Sequence, residues 1–288
     1  MKKKIVKSAG LLIILLLLGM LFFFPVYWTV ITSFKTKAQV FVERPVLWID
    51  TLYLDNYIEI FRKSYVATFF SNSMLVAVST TVISLALATM AGFGLSRYHF
   101  KGNKMIKNSV IAVRMIPALV YTIPYYIIYS KIHLLDTMTG LIMAYISFAL
   151  PLAIWLSISF FYEIPDELYE AAEIDGCTEY GMYMKIAFPL VKAGLVVIAI
   201  LVFIGAWNEF GLALVLQSSD AKKTLPIGIA SMVQTHKDTP SGSLAAAGVI
   251  AMIPAVILSM TTQKYIVKGT MAGVRTNLLP ASDWRGIQ

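Results

Sequence analysis

Residues 10–33 read GLLIILLLLGMLFFFPVYWTVITS, a stretch without a single charged side chain. A helix needs about 20 apolar residues to cross the hydrocarbon core of a bilayer. Lys2, Lys3, Lys4 and Lys7 precede the stretch, as basic residues precede the apolar region of a signal peptide. That region is only about 7–15 residues long and ends at a small-residue cleavage site, which is not obvious here. We therefore predict a retained first transmembrane helix.

The composition of the rest of the chain also indicates a membrane protein. Hydrophobic residues make up 58% of the 288 residues and charged residues 14%, against about 25% charged in an average soluble domain. The net charge of +8 is typical of basic cytoplasmic loops, so we do not interpret it as nucleic-acid binding. Cys177 is the only cysteine and the three histidines are scattered. We therefore expect no disulfide within the chain and no metal or cofactor bound by it.

Five further apolar stretches follow the first. We predict an all-α polytopic protein in which residues 1–288 form a single transmembrane domain with six transmembrane helices. Arg114 interrupts the third stretch and Glu209 the fifth. The predicted spans are 10–33, 66–94, 108–130, 137–162, 193–217 and 243–263.

The distribution of basic residues predicts the orientation. With six spans, the N-terminus, the loop after the second span and the C-terminal tail share one side of the membrane. All three are rich in lysine and arginine, which favours the cytoplasm. We therefore predict that both termini are cytoplasmic and that residues 35–63, 131–136 and 218–242 lie outside.

One predicted cytoplasmic segment is acidic instead of basic. Residues 163–181 read EIPDELYEAAEIDGCTEYG, with no lysine or arginine before Lys185. Pro165 suits the first turn of a helix and Gly176 its C-terminal end. Thr178 is predicted to cap a second short helix, which Pro189 would end. The result is a helix–glycine turn–helix element over residues 163–189.

The spacing in this element resembles the EAA motif of permease subunits of binding-protein-dependent ABC importers. The motif reads EAA, three residues, glycine, nine residues, isoleucine, one residue, leucine and proline. Glu170-Ala171-Ala172, Gly176, Ile186 and Pro189 match it, and Phe188 replaces the leucine. Other stretches, such as Trp207 to Phe210, are similar to the maltose-type sugar permeases. The closest resemblance is to the smaller, six-helix partner of that permease pair.

The resemblance implies a mechanical role for the acidic element. It would be a cytoplasmic coupling helix, with Glu170, Ala171, Ala172, Asp175 and Gly176 docked in a cleft of an ATPase subunit. The chain would be one half of a pore that moves a sugar or oligosaccharide inward across the cytoplasmic membrane. Its partners would be a second, homologous permease, an ATP-binding cassette ATPase dimer and an extracytoplasmic sugar-binding protein. ATP and Mg would bind to the ATPase, since this chain has no P-loop motif.

Two charges inside apolar stretches indicate a candidate substrate pathway. Ionisable side chains there usually face a bundle interior or a water-filled path. Arg114 and Glu209 are expected at different depths if their helices are straight, so we predict no direct pair between them. Trp207 and Asn208 add an aromatic face and an amide that suit a sugar. Static structural roles for all four residues are an open alternative.

Two other classes of function were considered. An ion-gradient-driven secondary transporter would show repeated halves or clustered intramembrane acids, and this sequence shows neither. An integral membrane enzyme would need grouped histidine, cysteine or carboxylate side chains, which no predicted span contains. We therefore predict a transport subunit without catalytic residues of its own.

Overall fold

The structure is a computed structural model that describes residues 2–42, 45–49, 51–63, 66–235 and 241–276. Within these ranges the chain is helical and contains no β-strand, as predicted. The helices are α1 (Lys2–Ser33), α2 (Lys37–Val40), α3 (Asp55–Lys63), α4 (Val66–Arg97), α5 (Asn103–Arg114), α6 (Ala118–Lys131), α7 (Met138–Tyr162), α8 (Asp166–Ile174), α9 (Glu179–Gly181), α10 (Phe188–Trp207), α11 (Gly211–Leu216), α12 (Leu225–Thr235) and α13 (Ser241–Thr276).

Five of the described helical segments are long and apolar enough to cross a membrane. Four of these overlap the first, second, fourth and sixth predicted spans, and one overlaps the beginning of the fifth. The segments are Gly10–Ser33, Val66–Arg97, Met138–Tyr162, Glu179–Trp207 and Ser241–Thr261.

The predicted third span, residues 108–130, is not one continuous helix. It is divided between α5 and α6 by a break at residues 115–117. Pro117 has the extended ψ of 136°, and a proline disfavours helical backbone in the residue before it. Pro124 lies within α6 without ending it.

The predicted fifth span, residues 193–217, is also divided. Helical structure begins earlier, at Glu179, and continues through a π-helical turn at Met182–Ala187 into α10. The predicted stop at Pro189 is wrong. A proline ring clashes with the carbonyl four residues earlier, here that of Lys185, and the wider π turn accommodates the ring.

The described residues form two compact units, one from those in the ranges 2–70 and 225–253 and the other from those in the ranges 71–224 and 254–276. In the first unit, the buried Asn56 at the start of α3 donates to the carbonyls of Ser33 and Lys35, both at 2.9 Å. The first bond satisfies a carbonyl at the end of α1, which has no partner within the helix, and the second satisfies a carbonyl two residues beyond it. A Cβ atom on Gly242 would lie 2.4 Å from the Asn56 amide, so glycine permits this approach.

In the second unit, helices approach closely where a glycine replaces a side chain. A Cβ on Gly92 of α4 would lie 2.5 Å from the Cβ of Ser157 of α7, and one on Gly194 of α10 would lie 2.6 Å from the Phe160 ring. Small residues of this kind let membrane helices pack without a hydrophobic driving force between them. The buried core here includes Ala88, Phe93, Ala153, Phe161, Met182, Leu195 and Ile198.

Candidate functional site

Helix α8 is defined at both ends by local sequence. Pro165 precedes it with φ fixed at −59°, and two acidic side chains occupy the first turn, where the positive end of the helix dipole favours them. At the other end Gly176 has φ +75°. The Gly176 N–H donates to Glu173 at 3.0 Å and the Cys177 N–H to Ala172 at 2.9 Å. This pair of bonds is a Schellman motif, which needs a left-handed residue at the glycine position.

The next helix begins at the residue predicted to cap it. The Thr178 hydroxyl accepts a hydrogen bond of 3.1 Å from the Gly181 N–H. This cap satisfies one of the free N–H groups at the start of α9. The turn between α8 and α9 is therefore fixed on one side by Gly176 and on the other by Thr178.

The two faces of α8 differ in exposure. Tyr169 and Ala172 are 3% and 5% exposed and pack into the chain's own core. Glu170, Ala171, Asp175 and Gly176 are exposed. Ile174 is 87% exposed. The structure therefore places four of the predicted coupling residues on an open face, but Ala172 on the buried one; Pro189 is exposed in the first turn of α10.

A basic side chain that the sequence did not mark as functional contacts α8 from α4. Arg97 forms an ion pair of 2.9 Å with Glu173 and one of 3.9 Å with Asp166. Its guanidinium carbon lies 5.0 Å from the centre of the Tyr169 ring. Burial raises the pKa of the Tyr169 phenol, Arg97 opposes that rise and Asp166 adds to it. The phenol therefore stays neutral at physiological pH.

A second candidate site surrounds the break between α5 and α6. Arg114, the last residue of α5, is exposed and donates to the Phe148 carbonyl at 3.4 Å. A cavity of about 310 Å³ opens beside it, within the size range of small-ligand sites. Its lining includes Arg114, Tyr121, Tyr125, Ser147, Phe148 and Pro151.

Glu209 lies just beyond the end of α10 and has a clear structural partner. One carboxylate oxygen accepts from the Leu212 N–H at 2.7 Å and the other from the Ala213 N–H at 3.1 Å. The side chain therefore caps the start of α11, where N–H groups lack helical partners. This satisfies a carboxylate that the sequence places in an apolar stretch.

Arg114 and Glu209 nevertheless line the same cavity, of about 290 Å³, together with Tyr145 and Phe148. The expectation that depth keeps the two side chains far apart is therefore wrong. The chain leaves the helix after Arg114 and again after Trp207. No ion pair joins the two side chains within the part of the chain that the structure describes, which agrees with the predicted lack of a direct pair.

The other two predicted pathway residues lie elsewhere. Trp207 is 2% exposed and stacks on Phe203 with ring centres 5.9 Å apart. Its indole is therefore not available to a sugar in this conformation. Asn208 is exposed, but its amide donates to the Ile204 carbonyl at 3.0 Å. The aromatic rings that do face a cavity, Tyr121 and Tyr125, were missed; their i, i+4 spacing within α6 was the available signal.

Two loops predicted to lie outside are joined by Asp136. Its carboxylate accepts from the N–H groups of Ser218 and Ser219 at 3.0 and 3.1 Å, and Lys222 lies 3.7 Å away. Burial alone would raise the pKa of Asp136, but the bonds from Ser219 and Ser218 and the Lys222 charge outweigh it and hold the pKa below 3.8. The Gln217 amide adds a bond of 3.0 Å to the Thr137 carbonyl.

The described residues contain no group of three metal-ligating side chains. The site instead combines a capped acidic helix with an open face, a polar and aromatic cavity, and helices of membrane-spanning length. This combination is that of a polytopic transport subunit.

Comparison with known proteins gives the family. Residues 83–271 match the profile of the binding-protein-dependent transport system inner membrane component family, and the chain belongs to that family. It is therefore a membrane-embedded permease subunit of an ABC importer.

Two relatives and one solved structure show how far the similarity extends. The chain is 38% identical over 250 residues to the trehalose transport system permease SugB of Mycobacterium tuberculosis, covering 86% of this chain and 90% of that protein. It is 32% identical over 275 residues to the trehalose/maltose permease MalG of Thermococcus litoralis, covering 95% and 98%. A chain of a bacterial ABC transporter that imports the acidic polysaccharide alginate superposes with a TM-score of 0.79 at 21% identity, covering 92% and 98%. This last likeness shows the fold.

Proposed function

We propose that this permease carries a sugar or small oligosaccharide inward, with its energy supplied by a separate ATPase. Trehalose and maltose are the first substrates to test, because two relatives that align over most of their length are named as permeases for trehalose or for trehalose and maltose. Partner proteins would be a second permease, an ATPase dimer and an extracytoplasmic binding protein. Both termini would face the cytoplasm.

The observation that carries the ATPase part of this proposal is the open face of α8. Acidic Glu170 and Asp175 flank the small Ala171, and Ile174 projects with 87% of its surface exposed. A protruding apolar side chain with acids around it suits a cleft that has an apolar base and a basic rim. Ala172 and Pro189 would act within the chain, by seating α8 on the core and starting α10.

The arrangement at Arg114 supports a proposal for the substrate pathway. Non-helical backbone at membrane depth is tolerated where it lines a water-filled cavity, and the break at residues 115–117 borders a cavity of about 310 Å³. We infer that α5 and α6 together form the third of six spans, broken at this cavity. Aromatic faces and a guanidinium are groups that pack against sugar rings and donate to hydroxyls. Glu209 would line the same path while capping α11.

Replacing Gly176 tests the coupling proposal. A leucine at φ +75° costs about 1–2 kcal/mol in backbone strain and places a branched side chain on the open face of α8. Gly102 is a matched control, because it has φ +98° and, like Gly176, no atom near an added Cβ. We expect Gly176→Leu to lose the co-purifying ATPase, and Gly102→Leu to retain it.

The same preparations discriminate the energy source. Uptake of trehalose or maltose into vesicles should require ATP and should persist when an ionophore collapses ion gradients. Uptake that is abolished by the ionophore and does not depend on ATP would favour the ion-driven alternative. Retention of the ATPase by both glycine variants would refute the docking role of α8.

A further inference from the structure

Three side chains on one face of α4 contact either α8 or the π turn at Met182–Ala187 that follows it. They lie one helical turn apart along α4. Thr89, Phe93 and Arg97 are spaced four residues apart, so they lie along one stripe of the helix. The Thr89 hydroxyl is 2.8 Å from the Tyr183 hydroxyl in the π turn. The Phe93 ring lies 5.3 Å from the Tyr183 ring and 6.1 Å from the Tyr169 ring. Arg97 completes the stripe at the end of α4.

Arg97 contacts acidic side chains at both ends of α8, closely at Glu173 and more distantly at Asp166. Asp166 begins the helix and Glu173 lies in its last turn, and the same guanidinium reaches both carboxylates, at 3.9 and 2.9 Å. Between them the guanidinium covers the face of Tyr169. A planar guanidinium can serve two acids and a ring at once, which a lysine ammonium cannot do with the same geometry.

The dipole of α8 gives a physical reason for a cation at this place. Glu173 lies near the negative end of the helix, where a carboxylate is unfavourable. The last turn of α8 contains no basic residue of its own. Arg97, from a helix 76 positions away in sequence, therefore supplies the positive charge that this end needs.

The space beside these contacts permits movement. A cavity of about 320 Å³ borders α8, and its lining includes Arg97, Tyr162, Asp166, Tyr169 and Glu170. The Arg97 Nε and the Tyr169 hydroxyl are buried and have no hydrogen-bond partner among the described residues. Because interiors are normally filled, an unfilled space of this kind leaves room for a shift of α8.

We propose that Arg97 is a positioning residue that fastens α8 to the end of α4, so that displacement of α8 is passed to a membrane-spanning helix. This inference rests on the proposed docking of α8 to an ATPase. The Phe93 and Thr89 contacts pack α4 against this part of the chain. The Arg97 ion pairs fix the position of α8 relative to α4. Without Arg97, α8 would still bind the ATPase but would slip relative to α4.

The test uses the assembled transporter with its ATPase and cognate binding protein, reconstituted in lipid. The readout is the factor by which the sugar-loaded binding protein stimulates ATP hydrolysis, since this signal must cross the permease. Arg97→Met should leave assembly and basal hydrolysis in place and reduce the stimulation by about two- to thirtyfold, the range of coupling energies between linked sites. Arg97→Lys should restore part of the stimulation. Lys101→Met, which removes an exposed charge four positions later, is the control and should match wild type.

A second variant keeps the proposal falsifiable if Arg97→Met does not assemble. Glu173→Gln removes the 2.9 Å ion pair but leaves Arg97, Asp166 and Tyr169 in place, and it should also lower the stimulation. Full stimulation in every assembled variant of this set would overturn the inference. If Gly176→Leu then still released the ATPase, the docking proposal would stand and only the role of Arg97 would be lost. If Gly176→Leu had no effect either, the docking proposal itself would fail.

Discussion

The contact of α8 with α4 and the cavity at Arg114 differ in how well their charged side chains are paired within the chain. Arg97 and Glu173 satisfy each other within the chain, and that pairing holds α8 against α4. At the cavity, Glu209 is satisfied by backbone N–H groups, whereas Arg114 reaches only a carbonyl at 3.4 Å. A charge with close ion-pair or hydrogen-bond partners in the same chain therefore has a structural role. A charge with weak ones, such as Arg114, is better suited to contact a ligand.

The largest expected effect is on the packing behind α8. Gly92→Leu would drive a side chain into the backbone of α7, because an added Cβ already lies 3.0 Å from the Ser157 carbonyl carbon. Overpacking of this kind costs about 3 kcal/mol, so the thermal unfolding midpoint of the purified transporter should fall by several degrees. Gly94→Leu is the control, since no atom lies within 4 Å of its added Cβ. Equal midpoints for the two variants would contradict the close contact of α4 with α7.

Glu209 tests whether an internally satisfied charge is only structural. Glu209→Ala removes both caps of α11 and should cost about 1–2 kcal/mol of stability, as loss of a helix cap does. Glu209→Gln keeps one acceptor oxygen and should recover much of this. If Glu209 is mainly structural, Glu209→Ala should lower thermal stability and change the KM for uptake to a smaller extent. A changed KM with unchanged stability would instead assign Glu209 to the substrate path.

The turn between α8 and α9 was predictable because its determinants are local. Pro165, Gly176 and Thr178 fix the two helix ends within a few residues of each other, and the structure shows both caps as expected. The contact of Arg97 with Glu173 was not predictable, because it depends on the packing of helices 76 positions apart. Periodicity identified neither that contact nor the burial of Ala172, which only the packed unit determines.

The errors at the cavity have a common physical cause. The depths of Arg114 and Glu209 were derived from continuous helices at 1.5 Å per residue. The rise per residue gives a position along the axis of one helix, but it includes neither the tilt of that helix nor the reach of a long side chain such as Arg114, and the two side chains line one cavity. A proline at position 117 signalled the first break. Nothing of comparable strength signalled the end of α10 at Trp207, and the tryptophan itself is buried instead of facing a sugar.

Arg114 provides the complementary test at the cavity. Arg114→Gln should raise the KM for trehalose or maltose uptake about tenfold, near the lower limit of about 1.5 kcal/mol for a hydrogen bond to a charged group. Stability should change little, because the side chain is exposed and has one long contact. Lys104→Gln, on the same helix and also exposed, should leave the KM unchanged. A KM raised equally by both variants would indicate a general charge effect and not a contact in the cavity.

The smallest effect is expected at Asp136. Unlike the positively charged Arg114, it is a negative charge with several close partners in the chain. Asp136→Asn should cost about 0.5–1 kcal/mol, because the serine N–H groups keep an oxygen acceptor but lose its charge. Since the folded-state pKa is lowered, the charged form contributes stability above the ordinary value of 3.8 and that contribution disappears as the pH falls through the folded pKa. Thermal unfolding should therefore separate wild type from Asp136→Asn at pH 6, and the difference should shrink progressively as the pH falls below 3.8. Asp220→Asn breaks an exposed pair with Lys223 and should show almost no effect at either pH; a gap that widened in acid for Asp136→Asn would show that the carboxylate is not stabilised in its charged form.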